Sequence, residues 1–259
     1  MKRHHMFRLL ALTLVFIMVL GLVSCGNQPQ QQSQTDTGTE TSGQAEGVNL
    51  NYGISNSWDS LMPYYSVSGS NYSRIIYDKL YDRLAYIQPD GTCSPRAATS
   101  WESADDGYAI LFYLDEGAAF HDGTPVTAQH WVDTIALVTN PACNVLGRDT
   151  FAGLTGTDEI GAAIEGENLG AEAVDEYTLK LTFDNPVVPE EFLVEYNRDI
   201  YVLPTHLLTD IAPEDLVTSD FWQNPVGSGP CQFVSEVSGS TLVLSANKDY
   251  QLGPQGLTP

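Results

Sequence analysis

The stretch Phe120–Thr139, FHDGTPVTAQHWVDTIALVT, carries the clearest structural signal in the chain. Its apolar spacing predicts a helix over Pro125–Thr139. Thr127 can cap the first turn of that helix, and Val126 and Trp131 have the spacing of a hydrophobic staple. Because Trp131 adds a large apolar side chain to one face, we expect the helix to pack against a sheet.

Further elements are predicted on both sides of this helix. On periodicity we expect strands at Val48–Ile54, Tyr108–Leu114, Tyr177–Phe183 and Ile200–Leu203, a second helix at Ser73–Ile87, and a hairpin formed by Gln232–Val237 and Thr241–Ala246. The turn sequence QPDG at 88–91 follows the second helix. Strands and helices are interspersed, which predicts a mixed α/β protein.

The composition excludes several classes of partner. The chain of 259 residues has 33 Asp and Glu against 11 Lys and Arg, a formal net charge of −22. A surface this acidic repels the phosphates of nucleic acids, so no nucleic acid is expected as a partner. It also repels anionic bilayers. With 42% hydrophobic residues the chain is too apolar to be disordered throughout, and we expect an acidic, soluble, globular body.

The N-terminus has the features of a secretory signal. Lys2, Arg3 and Arg8 precede an apolar run, Leu9–Val23, that is short for a membrane span. The sequence LVSC at 22–25 resembles a lipobox, the processing site of bacterial lipoproteins. That resemblance implies cleavage before Cys25 and attachment of lipid to its sulfur.

These features divide the chain into three parts. Residues 1–24 are expected to be a lipoprotein signal, residues 25–47 the lipidated cysteine and a flexible linker, and residues 48–259 the folded region. The linker is rich in Gln, Thr, Ser and Gly and has no hydrophobic side chain larger than alanine. It therefore cannot offset the entropy of ordering by burial. A lipid anchor would hold this acidic body at a membrane that otherwise repels it.

Enzyme motifs are mostly absent. The sequence has no nucleophile elbow, phosphate loop or zinc-protease helix motif. His121 and Asp122 can be a base with its orienting carboxylate, although Asp-Gly is also an ordinary turn. His130 and His206 lack metal-ligand spacing, so we expect structural roles for all three histidines, and neither a metal nor a cofactor. A glycosidase-type carboxylate pair stays open, since acidic residues are many and scattered.

The cysteines left after lipidation are Cys93, Cys143 and Cys231. Their number is odd, so at least one is a free thiol or forms an intermolecular bond. A buried and inert cysteine is the ordinary outcome.

Short blocks in a fixed order carry a family resemblance. They read YDKLYDRL (77–84), QPDG (88–91), WE (101–102), DDGY (105–108), FHDGTPVTA (120–128), VDEYTL (174–179), LPTHLL (203–208), NPVGSGP (224–230) and NKDY (247–250). Together they resemble the family 5 extracellular solute-binding proteins, the peptide- and nickel-binding receptors of ABC importers. Gly227 and Gly229 would permit close approaches that a Cβ forbids.

The resemblance implies a periplasmic-binding-protein-like type II (cluster C) architecture, here the first lobe with the second lobe missing. It also implies the function of a substrate-binding lipoprotein that captures oligopeptides or dipeptides outside the membrane and delivers them to the permease. The expected partners are a peptide or other small solute, the permease subunits and, through the lipid, the outer face of the cell membrane. Nickel chelates, haem and oligosaccharides are other solutes of this family.

First-lobe contacts to the solute are expected in the loop that follows the first strand. Ser57 and Trp58 are the best candidates, because Trp58 combines apolar area with a hydrogen-bond donor. Tyr65 and Arg148 are weaker candidates. A surface-covering role for Trp58 explains its position equally well.

Two other functions stay open on the sequence. A sensing or scaffold lipoprotein would bind a solute without a transporter, and neighbouring permease and ATPase genes would argue against it. A secreted hydrolase would need a reactive centre, and loss of activity on mutating His121 or Asp122 would support it.

Overall fold

A computed structural model describes residues 50–65, 71–195 and 200–253. These residues belong to one compact unit, Asn49–Pro259. None of the helices in the described ranges combines the length and the apolar surface that crossing a bilayer demands. The predicted signal, the lipidated Cys25 and the linker lie outside the described residues and stay predictions.

The elements alternate along the chain as the sequence predicts for a mixed α/β protein. The helices are α1 (Asn71–Leu80), α2 (Ala128–Thr139) and α3 (Pro189–Glu195). The strands are β1 (Ala85–Ile87), β2 (Cys93–Pro95), β3 (Ala98–Ala104), β4 (Ala109–Leu114), β5 (Ala171–Ala173), β6 (Thr178–Thr182), β7 (Cys231–Val237) and β8 (Thr241–Ala246). Short 3-10 turns fill much of 141–151 and 205–223.

The main sheet is antiparallel, in the order β3-β4-β6-β5, and two hairpins, β1-β2 and β7-β8, accompany it. Leu179 and Leu181 of β6 lie opposite Phe112 and Ile110 of β4, and all of these side chains are buried. They alternate with polar residues in β6 and with the partly exposed Leu111 and Tyr113 in β4, which places one face of the sheet in the core. Helix α2 covers β5 and β6 and buries Trp131 completely.

Helix α2 begins directly after the predicted cap residue, Thr127, and therefore three residues later than the predicted bound at Pro125. The Thr127 N–H donates to His130 Nδ1 at 3.2 Å, and the Thr127 hydroxyl lies 2.9 Å from the same nitrogen. Val126 and Trp131 are both buried. The cap is therefore confirmed, with the imidazole of His130 in the place that a glutamate side chain usually takes in a capping box.

The second predicted helix, Ser73–Ile87, is wrong in its second half. Helix α1 ends at Leu80, and Ala85–Ile87 forms β1 instead. The Leu80 carbonyl accepts the N–H of Gly229 at 2.9 Å, and the Asp82 N–H donates to Ser228 Oγ at 3.0 Å. A distant segment thus satisfies the backbone groups at the end of the helix, which local periodicity could not reveal.

Two predicted strands do not form in the described part of the chain. Within Val48–Ile54, the described residues 50–54 are irregular, with 50–53 exposed and Ile54 partly buried. Ile200–Leu203 is buried but irregular. Its backbone bonds go elsewhere: the Tyr201 N–H to Tyr64 Oη at 2.8 Å and the Leu203 N–H to Thr134 Oγ1 at 3.0 Å. The remaining predicted strands and the hairpin are confirmed.

A buried carboxylate joins distant parts of the chain. Asp82, which is 1% exposed, pairs with Arg96 Nε at 2.5 Å and accepts hydrogen bonds from the Arg83 N–H, Tyr250 Oη and Gln251 Nε2. Burial raises the pKa of the Asp82 carboxyl, while Arg96 and these hydrogen bonds oppose the rise. The network ties the end of α1 to β2 and to the segment after β8.

The glycines of the block at 224–230 allow two backbones to cross in contact. A Cβ on Gly227 would lie 1.8 Å from the Leu80 carbonyl oxygen, and one on Gly229 would lie 2.5 Å from the Lys79 carbonyl oxygen. Neither distance is sterically possible without a backbone shift. The expected role of these glycines as sites of close approach is confirmed.

We predict that Gly227→Ala lowers the free energy of unfolding by about 3 kcal/mol or more, because backbone rather than a flexible side chain opposes the new Cβ. The control is Gly53→Ala, since nothing lies within 4 Å of a Cβ at Gly53. Urea unfolding followed by circular dichroism measures both variants. Equal stability of the two would contradict the crossing.

Candidate functional site

Two tyrosines, one in α1 and one directly after it, hold the irregular loop 55–65 in place. Tyr77 Oη donates to the Ser60 carbonyl at 3.0 Å, and Tyr81 Oη donates to the Leu61 carbonyl at 2.8 Å. Burial raises the pKa of both phenols, so they remain protonated donors. The loop therefore has a defined path although it contains no regular secondary structure.

Trp58 connects this loop to the hairpin β7-β8. Its indole Nε1–H donates to Glu236 Oε1 of β7 at 2.6 Å, and its side chain is half-buried. Ser57 next to it is exposed, and its N–H bonds to Asn56 Oδ1 at 2.9 Å. The loop thus presents a fixed aromatic ring and an exposed hydroxyl side by side.

Tyr65 and Arg148, the weaker candidates, lie on adjoining segments. The Leu146 N–H donates to the Tyr64 carbonyl at 3.2 Å, which places the end of the loop beside the residues before Arg148. Tyr65 is 38% exposed. The guanidinium of Arg148 turns toward its own segment and donates to the Val145 carbonyl at 3.1 Å. Solute contacts by these residues stay predictions.

Sequence reasoning did not select Glu236 or Tyr64. Glu236 lies in an ordinary strand pattern, and only the folded chain brings it to Trp58 across 178 positions. Tyr64 Oη donates to the Tyr201 carbonyl at 2.7 Å and so fixes the loop end to the buried segment 200–203. The run of aromatic residues around Pro63 was the one available signal for such anchoring.

His121 and Asp122 do not form a base with its orienting carboxylate. Gly227 N–H donates to His121 Nδ1 at 3.1 Å, so Nε2 carries the proton of the neutral ring and donates to the Gly229 carbonyl at 3.0 Å. Asp122 instead pairs with His206 Nε2 at 2.9 Å. His121 therefore has the structural role that was expected for it.

The described part of the chain was compared with the requirements of a metal site and of a reactive thiol. No group of three or more His, Cys, Asp or Glu side chains in these ranges could hold a metal ion. Cys93, Cys143 and Cys231 are free thiols, and burial raises the pKa of each. A thiol with a raised pKa is a weak nucleophile.

Comparison with known proteins agrees with the resemblance read from the sequence. A profile of the family described as bacterial extracellular solute-binding proteins, family 5 Middle, matches residues 92–257. The chain is 28% identical over 178 residues to the periplasmic murein peptide-binding protein MppA of Escherichia coli, a match that covers 66% of this chain and 31% of MppA. It is 34% identical over 197 residues to the periplasmic oligopeptide-binding protein OppA of Escherichia coli, covering 72% of this chain and 34% of OppA.

The fold comparison gives the same answer. The solved structure of the ABC transporter substrate-binding protein CtaP from Listeria monocytogenes superimposes with a TM-score of 0.63 at 25% identity, covering 77% of this chain and 37% of CtaP. The expected type II periplasmic-binding-protein-like architecture is confirmed. The chain spans about a third of the length of the curated relatives it matches.

We predict that the stability of the protein falls with pH below about 6.5, the pKa of a histidine in an unfolded chain. Burial lowers the pKa of His121, so the unfolded state binds the proton more readily than the folded state. Protonation would also place a hydrogen on Nδ1 against the Gly227 N–H. Urea unfolding between pH 7.5 and 5.5 measures the loss.

The matched variant is His121→Gln. We expect it to be less stable at pH 7.5 by about 1–2 kcal/mol, because it loses a backbone hydrogen bond. Its stability should depend less on pH than that of the wild type. Burial and His206 also lower the pKa of His130. Because His130 is present in both proteins, it contributes equally to the pH dependence of their stability. Identical pH slopes would show that His121 is not the group responsible.

Proposed function

Because the chain belongs to the bacterial extracellular solute-binding proteins of family 5, we propose that it acts as the substrate-binding lipoprotein of an ABC importer. It captures oligopeptides or dipeptides outside the membrane and delivers them to the permease. The family match over residues 92–257 carries this proposal. The names of MppA and OppA, a murein peptide-binding and an oligopeptide-binding protein, favour peptides among the solutes of the family.

The proposed organisation follows from this role. Residues 1–24 direct export, Cys25 carries the lipid, and residues 25–47 form the linker to the N-terminal portion of a solute-binding domain at 48–259. The net charge of −22 supports the anchor, since a body this acidic does not adhere to an anionic membrane by itself. The lipid would keep the protein at the outer face of the cell membrane, in the periplasmic space where an outer membrane exists.

The proposed binding surface is the loop 55–65. Ser57 offers an exposed hydroxyl to polar groups of a peptide, and the ring of Trp58 offers apolar area next to it. Tyr65 extends this surface, and Arg148 borders it. The tyrosines that hold the loop reduce the entropy lost on binding, because the surface is already ordered.

We expect Trp58→Ala to weaken the binding of trialanine about tenfold, since truncating an aromatic anchor removes contact area. Isothermal titration calorimetry on the full mature chain, solubilised in detergent, measures the dissociation constant. Tyr108→Ala is the control, because Tyr108 is an exposed aromatic residue directly before β4, remote from the loop in sequence. An equal effect of both substitutions, or no binding by the wild type, would refute this surface.

Lipidation is tested separately. The full chain is expressed in a bacterium with lipoprotein processing, and intact-mass spectrometry should find a polypeptide that begins at Cys25 and carries acyl groups. Cys25→Ser should leave the polypeptide unmodified and move it from the membrane fraction to the soluble fraction. A wild-type protein that is exported with an unmodified thiol would exclude the anchor.

A further inference from the structure

The hydrogen bond between Trp58 and Glu236 involves a charged acceptor. The indole N–H donates to a carboxylate oxygen at 2.6 Å, a short distance typical of charge-assisted bonds. Both side chains are half-buried, so each keeps a part that solvent reaches. The pair joins the loop 55–65 to β7.

A β-bulge directs Glu236 toward this loop. In the hairpin, Phe233 pairs with Leu244 and Glu236 pairs with Leu242, while the register shifts at Val234 between them. Directly paired residues of antiparallel strands share a face, so Glu236 lies on the same face as the partly buried Leu242 and Leu244. Regular alternation from Phe233 would have turned Glu236 to the opposite face. The bulge therefore places a carboxylate on the inner face of the hairpin.

The charge of Glu236 has no cationic partner in the described ranges. No Lys, Arg or His side chain there forms an ion pair with it, and its Oε2 atom makes no hydrogen bond with any described residue. The more deeply buried carboxylates differ: Asp82 pairs with Arg96, and Asp78 with Arg83. Asp115 and Asp158, which are half-buried like Glu236, accept hydrogen bonds from backbone N–H groups of their own turns. Partial burial of a charge is unfavourable unless a partner compensates it.

We propose that Trp58 and Glu236 form a subsite for a cationic group of the solute, either a primary ammonium or a guanidinium. This inference rests on the proposed function and deepens it, because it names the chemistry that the loop selects. Glu236 supplies the negative charge and a free acceptor atom, and the indole ring supplies an electron-rich face. The loop is held by Tyr77 and Tyr81, so the ring needs no reordering when the cation binds.

The acidic character of the whole chain supports the same selection. A net charge of −22 raises the concentration of cationic solutes near the surface and speeds their association. This long-range field does not determine where a cation binds. The binding position is determined by the carboxylate of Glu236, which has no cationic partner in the described ranges and lies beside the indole of Trp58.

The variant that tests the subsite is Glu236→Gln. Glutamine keeps a carbonyl oxygen that accepts the Trp58 indole N–H, but it carries no charge. The matched control is Glu167→Gln, which removes the same charge from an exposed turn residue. Far-ultraviolet circular dichroism and melting temperature establish that both variants fold as the wild type does.

The first measurement is calorimetric binding of tripeptides to the full mature chain. Alanyl-lysyl-alanine should bind about tenfold more tightly than alanyl-norleucyl-alanine, which has the same chain length without the side-chain ammonium. Glu236→Gln should abolish this difference, and Glu167→Gln should preserve it. The N-acetylated peptides test whether the N-terminal ammonium is the cation that binds. If it is, acetylation should weaken binding to the wild type but not to Glu236→Gln, and the lysine side chain should make no difference to the affinity.

The second measurement does not require that the chain binds peptides. In ¹⁵N-labelled protein the Trp58 indole resonance, assigned by its loss in Trp58→Phe, is titrated with n-butylammonium chloride and with n-butanol. The cation should shift this resonance saturably in the wild type and not in Glu236→Gln, and the alcohol should leave it unchanged. A Glu236-dependent shift without tripeptide binding supports the subsite and refutes the peptide-binding function.

Two outcomes overturn the inference. If the tripeptides bind equally well with and without the lysine ammonium or the N-terminal ammonium, and Glu236→Gln has no effect, the subsite is refuted while the proposed function is retained. If neither the tripeptides nor n-butylammonium bind, the subsite is refuted together with the function on which it rests.

Discussion

The buried carboxylate of Asp82 is the constraint on which the rest of the structure depends. A charge this deep in the protein needs an opposite charge and hydrogen bonds, and removing one member of such a pair typically costs about 3–5 kcal/mol. Arg96 enters from the residues after β2, and Tyr250 and Gln251 enter from the segment after β8. Segments that are far apart in sequence must therefore meet at the end of α1.

The candidate binding surface is a consequence of that meeting. The segment that carries Gly227 and Gly229 crosses α1 in backbone contact, and β7 begins directly after it. Helix α1 and the residue directly after it supply Tyr77 and Tyr81, which hold the loop 55–65. Trp58 lies on the loop that these tyrosines hold, and Glu236 lies on the strand that follows the glycine crossing. The candidate surface is therefore ordered without a bound solute.

Sequence reasoning found one side of this surface and not the other. Trp58 could be selected because a tryptophan in a polar loop is unusual and chemically versatile. Glu236 could not, since its position depends on a bulge at Val234 that shifts the strand by one residue. The irregular path of Ile200–Leu203 was equally hidden, because its hydrogen bonds go to the side chains of Tyr64 and Thr134 rather than to a neighbouring strand.

The sequence by itself determined the family, the helix α2 with its Thr127 cap, the two central strands β4 and β6 of the main sheet and the hairpin, because local periodicity, caps and turn residues encode these features. Only the tertiary structure decided where α1 ends, which residues compensate Asp82 and which carboxylate faces Trp58. The reason is physical: each of these depends on hydrogen bonds and charges between residues that are brought together by folding, and no local pattern in the chain records such partners.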